Sequence, residues 1–162
     1  MAERIVESGG EHRLKAVFLK VIDHIAVITL HNPPVNAANG DVQDEILLIC
    51  DYINRDRDVY VMHSDLKTFC VGVDIKRFAQ SVEDKDVTNV QEHYYDGAQA
   101  LYELQVPLIC AVHGHCLGGG LCYPAGADIT IAAEGTQFGR SKAQRCGRFR
   151  PSWQNSAAPA SA

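Results

Sequence analysis

The chain has 162 residues, 46% of them hydrophobic and 22% charged, with a formal net charge of -5 at pH 7. That length and apolar content fit one globular domain with a real core and exclude disorder of the whole chain. The acidic balance excludes a general nucleic-acid binder, whose affinity rests on Lys and Arg displacing counterions from phosphate.

The charge is uneven: residues 1–139 hold all 20 acids against 10 basic residues, whereas 140–162 hold five basic residues and no acid. Six cysteines (Cys50, Cys70, Cys110, Cys116, Cys122, Cys146) are scattered without a CxxC pair, which fits free thiols in a reducing compartment. Glu3, Glu7 and Glu11 stand where a signal peptide needs an apolar run and a mitochondrial presequence avoids acids. No run reaches membrane-spanning length, so a cytoplasmic protein with no membrane partner is expected.

In chain order, residues 15–21 (KAVFLKV) and 25–30 (IAVITL) are short apolar and β-branched runs separated by Asp23-His24, the pattern of a hairpin. Asn32-Pro33-Pro34 then stops both strand and helix. Val42, Ile46, Ile49, Cys50 and Ile53 recur at helical spacing and predict a helix over 38–54. Val59–Met62 reads as a buried strand, followed by a polar turn and the segment Phe69-Cys70-Val71-Gly72-Val73-Asp74. Val90, Tyr94, Leu101 and Leu104 mark a second amphipathic stretch. Pro107–Val112 is a third buried strand, running into Gly118-Gly119-Gly120, and Ile129–Ala132 a fourth. The alternation of strand and helix predicts an α/β fold with no internal sequence repeat. The last twelve residues, PSWQNSAAPASA, carry no charge and cannot build a core. The domain reading is therefore a core over 1–139 and a disordered tail over 140–162, basic and then rich in Pro, Ala and Ser.

Two loops carry the chemistry, each following a buried strand. In the first, Gly72 permits a tight turn and Asp74 can cap a helix starting near Ile75, leaving the Val73 amide pointing outward. In the second, a helix starting at about Gly119 would present unpaired, partly positive amides at its first turn. Two such donors on one point would stabilise the oxygen of a thioester carbonyl becoming an enolate, a contribution of about 3–4 kcal/mol per donor. The plainer alternative for a glycine run is a helix packed closely on a strand.

The segment FCVGVDIKRF (69–78) resembles the crotonase signature F-x-A-G-A-D-I/L-K. VPLICAVHGHCLGGGLCYPAGADITIAAEGTQFG (106–139) is similar to the same family's K-P-V-I-A-A-V-x-G-x-A-x-G-G-G-x-E…D-I-x-I-A…F-G block. VIDHIAVITLHNPPVNA (21–37) looks like its first hairpin and N-P-x-x-N-A turn. The resemblance, to the crotonase (enoyl-CoA hydratase/isomerase) superfamily, runs from about 15 to 139. It implies a spiral of ββα turns, truncated before the last turn and the C-terminal helices, and trimers that often pair into hexamers. It implies an acyl-CoA substrate, with coenzyme A entering as part of the thioester and no tightly bound cofactor. It places the two oxyanion-hole amides on Val73 and Gly119, and the loop of Cys70, Val71 and Lys76 along coenzyme A. For Lys76 a solvated surface lysine is the equal alternative.

Departures from the family bear on the reaction. Family hydratases carry glutamates at the positions held here by Cys122 and Lys142, and neither substitute is a base at neutral pH. Cys122 could act as a nucleophile, with a thiol pKa lowered by the start of a helix; a small residue packed under that helix is the simpler role. His113, His115 and Cys116 fall within one turn and do not make a tetrahedral zinc set, so no metal is expected. Asp128 reads as a structural cap, and Pro124 should shorten the glycine helix. The basic run Arg140, Lys142, Arg145, Arg148, Arg150 reads as a solvated tail. Two functions follow: an enzyme that stabilises a thioester enolate, or an inactive family member that binds coenzyme A or associates with full-length crotonase subunits.

Overall fold

The computed structural model describes residues 11–56, 59–83 and 95–139. The tail reading, Lys142, Val90 and Tyr94 lie outside them.

The hairpin forms as expected: β2 (Val17–Ile22) and β3 (Ile25–Leu30) pair antiparallel across Asp23-His24, with Asp23 at φ +52°. A short strand β1 (Glu11–Arg13), not anticipated, pairs antiparallel with β2. From β3 onward the large sheet is parallel, through β5 (Val59–Ser64), β7 (Leu108–Val112) and β9 (Ile129–Ala132), in the order β1-β2-β3-β5-β7-β9.

Between these strands run shorter ones. β4 (Ala37–Ala38) pairs parallel with β6 (Gly72–Val73), and β8 (His115–Leu117) with β10 (Gln137–Gly139). A parallel bridge between Cys70 and Cys116 joins the two pairs. Helix α1 (Gly40–Asp56) connects β4 to β5; α2 (Ile75–Glu83) and α3 (Asp96–Tyr102) lie between β6 and β7. A 3-10 turn (Gly118–Leu121) and α4 (Cys122–Gly126) lie between β8 and β9. Each turn of the chain thus lays one strand in the large sheet and one in the small layer, the spiral of ββα turns that the resemblance implies.

Side-chain periodicity explains the core. Val17, Leu19 and Val21, then Ala26, Ile28 and Leu30, alternate into one face, and Val42, Ile46, Ile49 and Cys50 form the buried stripe of α1. Each fully buried Ile or Leu contributes about 1.5–3 kcal/mol. Glu45, on the same helix, locks the hairpin in place: its carboxylate accepts the backbone amides of Lys15, Ala16 and Val17 at 2.9, 2.8 and 2.8 Å.

Strand β9 departs from expectation. All four of its residues are exposed, Ile129 by 54% and Ile131 by 60%, because it ends the sheet and α4, which meets it where the Thr130 hydroxyl donates to the Pro124 carbonyl at 2.8 Å, leaves both isoleucines open. Its apolar run therefore does not mark a buried strand here. Asp128 is structural: it accepts the Leu108 amide at 2.8 Å through Oδ2 and donates its own N–H to the Leu108 carbonyl at 3.0 Å, setting β9 beside β7. Pro124 sits in a helix of only five residues, the shortening its missing N–H predicts.

Candidate functional site

The first loop is held from below by Asn36, buried and at φ +52° at the end of the Asn32-Pro33-Pro34 turn. Its amide nitrogen donates to the Ser64 hydroxyl at 2.7 Å, the Thr68 carbonyl at 3.0 Å and the Phe69 carbonyl at 3.1 Å, while Oδ1 accepts the Asn32 amide at 2.7 Å. One side chain thereby ties the end of β5 to the start of the loop at 69–74. Asp74 ends that loop and caps α2, accepting the Lys76 amide at 3.0 Å. The Asp74 N–H goes to the Ala38 carbonyl at 3.0 Å; because backbone groups alternate along a strand, the Val73 N–H points away from β4.

The second loop is held against the first by backbone contacts. Cys70 donates its N–H to the His115 carbonyl at 3.1 Å and accepts the Leu117 amide at 2.9 Å. Gly118, at φ +56°, turns the chain into the 3-10 turn, whose first amides, Gly119 among them, have no carbonyl of their own helix within reach. Gly72, at φ +90°, meets this turn so closely that a β-carbon there would stand 2.8 Å from the Gly119 nitrogen and 2.8 Å from the Leu117 oxygen. Gly72 and the Gly119 amide are therefore neighbours, although 47 residues separate them in sequence.

The other anticipated residues divide by exposure. Val71, in the first loop, is half-buried, and Lys76, in the first turn of α2, is exposed. Cys70 is 1% exposed, and its sulfur accepts the Gly72 amide at 3.4 Å. Its side chain faces the interior, which withdraws it from any ligand surface. Burial pushes its thiol up to about 11.

Cys122 is half-buried at the first residue of α4, where a lowered thiol pKa is expected from the helix dipole. The opposite holds: burial raises it, and a five-residue helix supplies little dipole to compensate. The packed role suits Cys122 better than the nucleophilic one. His113 is occupied in structure, its Nε2 donating to the Leu66 carbonyl at 2.6 Å. Among the described residues no group of His, Cys, Asp or Glu is arranged to hold a metal ion, and no helix is long and apolar enough to cross a membrane.

Sequence reasoning missed Asn36, Gln43 and Tyr123. Asn36 had a signal, as the last polar residue of the turn at 32–37. Gln43 and Tyr123 had none, since their 3.1 Å hydrogen bond spans 80 residues. Burial pushes the Tyr123 hydroxyl well up from its ordinary range.

Comparison with known proteins bears on the family and the fold. The enoyl-CoA hydratase/isomerase family model matches residues 21–159. The chain is 32% identical over 128 residues to a Bacillus subtilis protein named "Probable enoyl-CoA hydratase", covering 78% of this chain and 50% of that one. It is 29% identical over 125 residues to the (7aS)-7a-methyl-1,5-dioxo-2,3,5,6,7,7a-hexahydro-1H-indene-carboxyl-CoA hydrolase of Mycobacterium tuberculosis, covering 75% and 50%. The crystal structure of an enoyl-CoA hydratase/carnithine racemase from Magnetospirillum magneticum shares the fold, with a TM-score of 0.77 at 22% identity over 86% of this chain and 54% of that one. The chain spans about half the length of the curated relatives it matches.

Proposed function

Because the chain belongs to the enoyl-CoA hydratase/isomerase family, we propose that it binds an acyl-CoA thioester and polarises its carbonyl between the backbone N–H groups of Val73 and Gly119. The observation that carries this reading is the backbone contact between Gly72 and the Gly119 amide. Val73 follows Gly72 directly, its N–H is turned out of the β4–β6 ladder, and Gly119 lies in the open first turn of its helix. Two such donors favour the enolate oxygen over the neutral carbonyl, because the dipoles are fixed before charge develops; each contributes about 3–4 kcal/mol. Backbone donors keep this role whatever side chains surround them.

Coenzyme A enters as part of the substrate. Val71 offers it a half-buried apolar edge and Lys76 an exposed cation for its phosphates. Proton transfer needs a further group, and Cys122, raised by burial, is a poor base at neutral pH.

That last observation favours a second reading, a family member that binds coenzyme A or joins full-length subunits without turnover. Loss of the conjugated thioester absorbance of crotonyl-CoA, measured beside calorimetric titration with CoA, separates the two. Turnover supports enolate chemistry, and binding without turnover supports the second reading. Absence of both in the folded chain rejects the site.

A further inference from the structure

We propose that Gln43 is a positioning residue for this carbonyl site, acting through Tyr123 to set where the glycine turn stands against the first loop. The inference rests on the function proposed above and adds a residue to it.

Gln43 is 3% exposed on the buried stripe of α1, where an amide costs free energy unless both ends are paired. Both are. Its Oε1 accepts the Gly97 amide of α3 at 3.0 Å, and its Nε2 donates to the Tyr123 hydroxyl of α4 at 3.1 Å. A β-carbon at Gly97 would stand 2.7 Å from Oε1, 3.0 Å from the Gln43 carbonyl oxygen and 3.1 Å from the Ile46 β-carbon, so a larger residue would push α3 off α1. One side chain therefore fixes three helices.

Tyr123 links that node to the two loops. It lies one turn after Gly119 along the helical segment, and its ring meets Phe69 edge-on, with centroids 6.5 Å apart and planes at 73°. Phe69 opens the first loop, with its N–H on the His113 carbonyl at 3.2 Å and its carbonyl on Asn36. Apolar packing alone would let a buried ring slide, whereas a hydroxyl that must find Gln43 holds it in one orientation. The phenol thus transmits the position of α1 to the turn bearing the Gly119 amide.

The test uses 4-dimethylaminocinnamoyl-CoA, a conjugated thioester whose absorption moves to longer wavelength when its carbonyl oxygen is hydrogen-bonded. Tyr123→Phe keeps the ring and removes only the hydroxyl; Gln43→Leu removes the partner, and circular dichroism checks the fold of both. The expected result is a red shift on binding to the unmodified chain that falls by about half or more in Tyr123→Phe, while affinity for free CoA changes less than about twofold. A purely structural role would lower stability and leave the shift intact. A folded Tyr123→Phe chain with the full shift overturns the inference and spares the function. An unmodified chain that binds the probe with no shift overturns the function, and this inference with it.

Discussion

Gly120 lies directly on Cys70: a β-carbon at Gly120 would stand 2.6 Å from the Cys70 carbonyl oxygen and 2.9 Å from its sulfur. The thiol of Cys116 donates to the Gly120 carbonyl at 3.4 Å on the other side. The two loops are thus closed on one another through backbone, with no space left for a methyl group. Gly120→Ala should destabilise the chain by about 1–3 kcal/mol, as overpacking against rigid backbone does. Urea unfolding gives the value; a change under about 0.5 kcal/mol would show that the loops yield.

Gly72→Ala tests the neighbouring contact and the chemistry together. The new β-carbon would meet the Gly119 nitrogen and Leu117 oxygen, both backbone atoms that cannot swing aside. The variant should lose the red shift of the cinnamoyl thioester, and any crotonyl-CoA turnover should fall about 100-fold or more. Gly135→Ala is the control: φ is +81° there, but open space surrounds the site, so it should show only the left-handed backbone cost of about 1 kcal/mol.

Asn36 predicts the largest loss of stability from a single polar side chain. Asn36→Ala removes the donor to Ser64, Thr68 and Phe69 and places alanine at φ +52°. A cost of about 2–4 kcal/mol is expected, since buried acceptors lose their partner. Asn36→Gly loses the same bonds without the backbone strain and should recover about 1 kcal/mol of that. Thermal unfolding of the pair separates hydrogen bonding from conformation.

The buried thiols set an alkaline limit. Burial pushes Cys70 from 9.0 up to about 11 and Cys50, Cys110 and Cys116 up to about 12. Between those values the unfolded chain gives up protons that the native chain keeps, so stability falls as pH rises. The contribution is fully present below pH 9 and is lost as pH climbs through 11 to 12. The urea midpoint should decline above about pH 9, and less steeply in Cys110→Ala, which has one such thiol fewer. An unchanged slope in that variant would show that Cys110 ionises freely in the native chain.

Much of this protein was decided locally. Alternating and helically spaced apolar residues predicted the hairpin, α1 and the later strands, though not their parallel pairing, because burial on one face demands those periods over any few residues. Gly72, Asp74 and the triple glycine marked the two loops for the same reason: backbone turning and capping are settled by the residues that do them. The exposure of β9 could not be read this way, since Ile129 and Ile131 have the same pattern whether or not something covers them. The helix dipole suggested a lowered Cys122 thiol, and only the packing around it showed that burial reverses the sign. Asn36 as a hub, Gly72 against the Gly119 amide, and Gln43 against Tyr123 are properties of the closed spiral. Each joins groups 28 to 80 residues apart, and only the path of the whole chain brings such groups into contact.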